Sequence, residues 1–460
     1  MPNGTAGHRG PPPSSDAHMS DKQDRGGTDD RSRGRIDRQT DRTECVMSDV
    51  CGTEASRRRW MPVLFVVVVS LLGITGAGQP AVGEPRQGAE RPREVVFVAN
   101  AEGGTVSIID ARSLKVADEI DVLPDGEDAS ADEDDPFHAL LGQRLIETAG
   151  GDNFAQDLDL SPDGRTLYVS RGHRGDVAAF DIRTEEMLWK TTIAGLRADH
   201  MTISADGRFL YVSALTDDIV EVVDTERGEV VDSFPTGEWP HDNHVSADGQ
   251  RLYNASIGNI VTPWDVRAAR ASASTPILGE PYQLTVVDAD SLDQIETHTF
   301  ERGIRPFVIT HDETLMYAQL SEFHGLVEYD LEAGRILRTL DLPIDEGVSE
   351  DDYDFEAPHH GLAISPDGSL LCAAGRASDY AALISTDTLS PVAITDVGDA
   401  PSWAANDPQG RHCYLANNRD NTVSIISYAS HREIARIPVG DGPKYLVAGH
   451  IPADVLPPKT

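Results

Sequence analysis

The sequence predicts an all-β fold, a seven-bladed β-propeller closed by its C-terminal strand. The first observation is a recurring polar turn: Ser161-Pro162-Asp163-Gly164, Ser204-Ala205-Asp206-Gly207, Ser246-Ala247-Asp248-Gly249, Thr310-His311-Asp312-Glu313, Ser365-Pro366-Asp367-Gly368 and Asp407-Pro408-Gln409-Gly410. The second is that each turn introduces a strand, TLYVS, FLYVS, RLYNA, LMYAQ, LLCAA and HCYLA in that order. The third is the period. The turns at 204 and 246, and those at 365 and 407, lie 42 residues apart, room for about four short strands per unit, as in propeller blades.

Six turns leave one blade to be completed. Val95–Ala99 and Thr105–Asp110 read as second and third strands with no innermost strand before them, and Gly442–Gly449 reads as an innermost strand with nothing after it. The C-terminal strand is therefore expected to complete the first blade and close the ring, leaving no open seam. The strand aromatics Tyr168, Tyr211, Tyr253 and Tyr317 are expected to pack between blades.

Residues 1–55 are rich in Arg, Asp, Gly and Ser and cannot bury enough apolar surface to offset ordering entropy; they read as disordered, or as a mis-called extension with the start at Met19 or Met47. Residues 56–83 have the layout of an export signal. Ser56-Arg57-Arg58-Arg59-Trp60-Met61 is followed by the apolar run Val63–Ile74 and by small residues through Gly83. This resembles a twin-arginine leader, with an uncleaved anchor as the alternative; the run is short of the ~20 residues that span a bilayer. Residues 84–94 read as a linker, 95–452 as the propeller and 453–460 as a tail.

A formal charge of −38 and a pI near 4.6 exclude a nucleic-acid binder, which needs clustered Lys and Arg against phosphate. Of 39 basic residues only five are lysine. That balance fits an exported or salt-exposed protein, or merely a GC-rich genome, and the bland alternative is plain solubility; the closed ring is expected to be a monomer. Cys45 and Cys51 fall before or within the leader. Cys372 and Cys413 occupy second strands of neighbouring blades, where either a disulfide or two buried thiols fit.

Extra sequence sits at 123–152, which carries a short helical pattern from Pro136 to Thr148, at 256–283 and at 344–357. All three fall on the face where second-to-third loops and blade-to-blade connections emerge. Long loops gathered on one rim of a rigid scaffold are where binding concentrates.

Phe97-Val98-Ala99-Asn100 with Thr105–Asp110, and Tyr414-Leu415-Ala416-Asn417 with Thr422–Ile426, resemble the YVTN-repeat β-propellers, and the resemblance extends over about 95–450. It implies the fold and no single activity, because that group spans YncE-like and surface-layer proteins, lactonases, amine dehydrogenase heavy chains and the propeller of nitrous-oxide reductase.

Counting five places back from each turn aligns the starts of the innermost strands: Gln156, Asp199, His241, Arg305, His360, Ser402 and, in the closing strand, Lys444. Their neighbours are Asp157, His200, Asp242, Trp403 and Tyr445, with Trp239 and His359 just before. Asp199, His200, His241, Asp242, Arg305, His360, Trp403 and Lys444 are the ligand-binding candidates at the channel mouth, against the alternative of a hydrated polar funnel. His241 and His360, beside Asp199, Asp242 or Arg305, are the general acid or base candidates, with propeller lactonases as the precedent.

Imidazole suits zinc or copper, and the nitrous-oxide reductase resemblance implies His ligands at such strand starts; His200, His241 and His360 are the candidates. Strand alternation turns His241 from His244, and His359 from His360, so no metal is assigned. The cofactor is unknown: no haem, nucleotide or PQQ motif is present, nor a G-x-S-x-G elbow. The acidic run Asp125–Asp135 lacks EF-hand spacing. Arg171, His173, Arg174, Arg376 and Arg419 lie in second-to-third loops, as solvated charges or as contacts for an anion.

These features point first to an exported module that binds a small molecule or protein through the loop-bearing face without catalysis of its own. The alternatives are a lactonase-type hydrolase with a His at the mouth, and a propeller subunit of an amine-dehydrogenase-like redox enzyme.

Overall fold

The computed structural model describes residues 91–126, 152–260, 282–349, 353 and 356–456. The leader, the helical pattern at 136–148, most of the acidic run, most of the loops 123–152 and 256–283 and part of 344–357 lie outside the described residues. No helix among the described residues is long and apolar enough to cross a membrane.

The described chain forms seven four-stranded antiparallel sheets. In the first blade Pro443–Ile451 is innermost, followed outward by Arg93–Asn100, Thr105–Asp110 and Lys115–Asp121. The seam pairs in register from Arg93 to Ala99, Val95 facing Gly449, Phe97 facing Val447 and Ala99 facing Tyr445, and slips between Ala99 and Asn100. Six further innermost strands follow, Asp157–Leu160, Ala198–Ile203, Pro240–Val245, Ile304–Ile309, Leu362–Ile364 and Pro401–Asn406. Each touches the next, and the closing strand touches both the last and the first, so the ring is complete.

The repeated motifs have local causes. In the turns, the Ser161, Ser204, Ser246, Thr310 and Ser365 hydroxyls each donate 2.7 Å to the Asp two places on. Each also accepts from the amide five places on, for example Thr166 N–H at 2.9 Å. Gly164 closes its turn at φ +68°, where a Cβ would lie 2.2 Å from the His450 carbonyl oxygen, so only glycine fits. In the other motif, the Asn100 and Asn417 amides each donate 2.9 Å to a Thr and a Ser hydroxyl of the next strand, Thr105 and Ser107, Thr422 and Ser424. Asn and the following Thr-x-Ser are thus one hydrogen-bonded unit inside the blade.

Apolar faces meet between blades. Phe97 and Ile108 pack with Leu167 and Phe180 of the second blade, Tyr211 with Leu252 and Val287, and Tyr317 with Leu371. Val455 and Leu456, in the segment read as a tail, are buried in the first of these clusters, and Arg93 Nη1 donates 2.7 Å to the Leu456 carbonyl. Cys372 and Cys413 form a disulfide between the sixth and seventh blades, Cα–Cα 6.6 Å.

The loop charges of the second blade differ from their sequence reading. Arg171 is fully buried. It donates 2.6 Å to both Asp176 carboxylate oxygens, 2.7 Å to Asp125 and 3.1 Å to the Val122 carbonyl. Arg174 and Lys190 also pair with Asp125, so this first residue of the acidic run anchors a blade connection. His173 is only 10% exposed, and its Nδ1 accepts from the Asn153 amide at 2.8 Å. Burial, with Arg197 and Lys444 nearby, lowers its pKa to about 3.

Three outcomes follow. Deleting 442–460 should remove the innermost strand of one blade and lower the melting midpoint by more than about 10 °C, or leave the chain unfolded; an unchanged midpoint contradicts closure. Replacing Cys372 and Cys413 by Ser should cost about 2–4 kcal/mol in denaturant unfolding, because the bridge closes a loop 41 residues apart. The His173 imidazole, with its folded pKa depressed, contributes stability that is complete above pH ~6.5 and lost as pH falls towards 3. Relative to His173→Gln, the native protein should lose about 2–3 kcal/mol between pH 6.5 and 4.5; parallel pH profiles contradict the burial of a neutral ring.

Candidate functional site

All seven strand-start positions, Gln156, Asp199, His241, Arg305, His360, Ser402 and Lys444, line one cavity at the channel mouth. Arg197, Leu215, Ile257, Ile260 and Arg376 complete its wall. The cavity of about 30 Å³ holds a water or two, an ion, or one functional group of a larger molecule.

The backbone departs from plain alternation where these side chains emerge. Pairing slips register between Ala198 and Met201, Pro240 and Asn243, Ile304 and Phe307, and Pro401 and Ala404. Such slips re-aim side chains, and Asp199 and His200, adjacent in sequence, both reach the buried centre. In the sixth blade Gly361 has φ +138° and leaves no room for a Cβ against Trp403, 2.8 Å away. The Gln319 amide clamps it, donating 3.0 Å to its carbonyl and accepting 2.8 Å from its N–H. His360 is thereby turned into the mouth while His359 packs behind against Tyr380 and His324.

Three imidazoles converge. His241 Nδ1 lies 2.9 Å from Asp199 Oδ2, His200 Nδ1 lies 2.6 Å from Asp157 Oδ2, and His360 Nδ1 lies 2.7 Å from the Ser402 carbonyl oxygen. A carbonyl only accepts, so His360 carries its proton on Nδ1. Gln156 fixes His200. Its Oε1 accepts from Arg197 Nη2 at 2.7 Å and from Asn153, which turns its NH₂ towards Asp199 and, at 3.1 Å, towards His200 Nε2. That nitrogen therefore presents a lone pair. His241 Nε2 and His360 Nε2 face each other at 3.4 Å, and one ring nitrogen from each of the three histidines lies within 4.8 Å of the others.

Burial would raise the Asp199 carboxyl, but Arg197 and His241 hold it well below the usual carboxylate range. Burial, with His241 nearby, lowers His200 to about 3 and takes His360 well below its ordinary value. Buried Asp157 is pushed well up, with Asp159 adding to the effect, and Asp159 itself is raised to about 7 by burial. Among the lining residues four cations, Arg197, Arg305, Arg376 and Lys444, stand against one carboxylate, Asp199. In a chain of net charge −38, this is a local positive centre.

Of the sequence candidates, Asp199, His241, Arg305, His360 and Lys444 line the cavity. His200 stands edge-on to His241, centroids 4.5 Å apart, and stacks on Trp403 at 4.9 Å. Trp403 supports His200 and is not in the lining. Asp242 faces away: it sits 3.4 Å from His244 and accepts from the Phe307 amide at 3.3 Å. Strand alternation keeps His244, on the side of Phe307, and His359 away from the mouth, while His200, His241 and His360 come together. Arg197 and the apolar wall of Leu215, Ile257 and Ile260 were missed, because they lie outside the aligned strand-start position.

The family model "Lactonase, 7-bladed beta-propeller" matches residues 137–232, a stretch that supplies Gln156, Arg197, Asp199 and Leu215 to the cavity wall and His200 beside His241. The chain is a seven-bladed β-propeller, similar over that stretch to the lactonase propellers. Among solved structures, Kuenenia stuttgartiensis hydrazine synthase is similar at 19% identity and TM-score 0.54, over 76% of this chain and 99% of that one. A putative 6-phosphogluconolactonase from Bacteroides fragilis is similar at 13% identity and TM-score 0.56, over 81% and 100%. Likenesses this distant show the fold. No curated protein matches the chain.

Proposed function

We propose that the mouth binds a small anionic molecule and hydrolyses a lactone-type ester in it. The observation that carries this is the pairing, in one cavity, of four cationic side chains with two imidazoles, His241 and His360, whose proton positions are fixed by neighbours, with a third, His200, packed edge-on to His241. The lactonase-like stretch supports it, because it contributes residues to that cavity. Sequence reasoning placed a non-catalytic binding module first. A passive funnel needs no fixed tautomers, whereas hydrolysis needs a water held against nitrogen lone pairs and cations where the carbonyl oxygen gains charge.

Each group then has a task. Arg376 and Lys444 hold the anionic substituent, with Arg376 itself braced by the Ser402 hydroxyl. Arg305, buried and held by Ser321 Oγ at 2.9 Å, faces the oxygen that becomes an oxyanion. Asp199 orients His241, so that its Nε2 and that of His360 point at one water. The cavity admits the ester group itself; the rest of the substrate lies above it, towards the loops. Export accords with the proposal, because the Cys372–Cys413 bridge fits an oxidising compartment.

The test is hydrolysis of paired lactones of equal ring size, one with and one without a phosphate or carboxylate substituent. Lys444→Met should raise KM for the anionic lactone about 10–100-fold, the loss of one charge-assisted contact, and change the neutral one less than about twofold. No rate above the uncatalysed reaction for any lactone, or an equal KM change for both, contradicts the proposal.

A further inference from the structure

The 3.4 Å approach of His241 Nε2 and His360 Nε2 needs a cation. The His360 Nδ1 proton is committed to the Ser402 carbonyl and the His241 Nδ1 proton to the Asp199 carboxylate, so two lone pairs face each other across that gap. A proton or a metal ion resolves the conflict. Geometry favours the metal. Metal–nitrogen bonds of ~2.0–2.1 Å at tetrahedral angles hold nitrogens about 3.4 Å apart, the separation seen. A proton shared by two rings also gives no part to His200, whose ring nitrogen lies within the same 4.8 Å group.

We infer that His200, His241 and His360 form a three-histidine site for one divalent transition-metal ion of the zinc class, with its fourth position open to the cavity. The surroundings are those such a site requires. A metal-bound imidazole hands its other nitrogen's proton to a carboxylate or carbonyl. All three do so here, to Asp157, Asp199 and the Ser402 backbone. Borderline-soft imidazole nitrogens select zinc, copper or nickel over calcium or magnesium. Asp199 stands behind His241 as a carboxylate and offsets part of the ion's charge, Asp157 accepts the His200 proton, and the cavity of about 30 Å³ holds the water of the fourth position. Gln156 must turn its amide from His200 Nε2, and the same NH₂ is then placed to meet that water. Trp403, stacked on His200, and the Gln319 clamp on Gly361 fix two of the three rings before any ion arrives.

The site bears on the hydrolytic reading, since a zinc-class ion lowers the pKa of its bound water, but it stands on geometry without it. The full propeller is stripped with chelator and titrated with Co²⁺, then Zn²⁺. One equivalent of Co²⁺ with the visible bands of a four- or five-coordinate site, displaced by Zn²⁺, is expected. His360→Gln should weaken binding at least 100-fold, and Asp157→Asn 10–100-fold, with the far-ultraviolet circular dichroism of both unchanged. Should His360→Gln fail to fold, the Asp157→Asn titration and the native Co²⁺ spectrum decide. No equivalent bound by the native protein, or an octahedral spectrum, or affinity unmoved by Asp157→Asn, overturns the inference and leaves a shared proton at the gap. A protein that binds one ion and opens no lactone refutes the hydrolase and keeps the site; one that binds no ion and opens lactones does the reverse.

Discussion

The seam between Arg93–Asn100 and Pro443–Ile451 is the constraint on which the other features depend. These strands are at opposite ends of the described chain, yet they pair along their whole length. Without that pairing the first blade loses its innermost strand and the ring has two raw edges. With it, seven strand starts are held around one axis, and a residue in the first blade, Lys444, shares a wall with His360 and Arg305. The Gly164 turn packs on the His450 carbonyl, while Val455 and Leu456 are buried in the apolar cluster that joins the first two blades. The closing strand is therefore fastened to both of its neighbours.

Closure also explains how so much polarity stays buried. An isolated charge or imidazole in a protein interior is costly unless its hydrogen bonds are met. Here the donors and acceptors come from successive blades. Asp157 of the second blade serves His200 of the third, Asp199 of the third serves His241 of the fourth, and Ser402 of the seventh serves His360 of the sixth. Each histidine is oriented by an adjacent blade, so the geometry of the site is the geometry of the ring. The disulfide and the buried Arg171 network tie blades to neighbours and connections further out.

The blade repeat was legible because its determinants are local: a hydroxyl bonded to an Asp two places on, a glycine at positive φ, an Asn bonded to the following Thr and Ser. The seven strand-start residues were legible for the same reason, since position in the repeat maps directly onto position around the axis. What was not legible depends on departures from the repeat. The register slips that bring Asp199 and His200 to one centre violate the two-residue period used to separate histidines. Adjacency in sequence does not say which way a slipped strand turns, so Asp242 and Trp403 read as lining residues in the sequence and lie outside the lining in the fold. Arg197 reaches the mouth from a loop, outside any repeat position, and the burial of Arg171 depends on Asp125 and Val122 in another blade's connection.

The central claim is that the ring fixes three imidazoles with Nδ1 bonded outwards and Nε2 directed at one point. Long-range proton–nitrogen correlation spectra of ¹⁵N-histidine-labelled protein at neutral pH test it most directly. His200, His241 and His360 should each show a protonated Nδ1 and an Nε2 that is unprotonated or shifted by a bound ion. Nε2-protonated tautomers, or three rings averaging freely between forms, would contradict it.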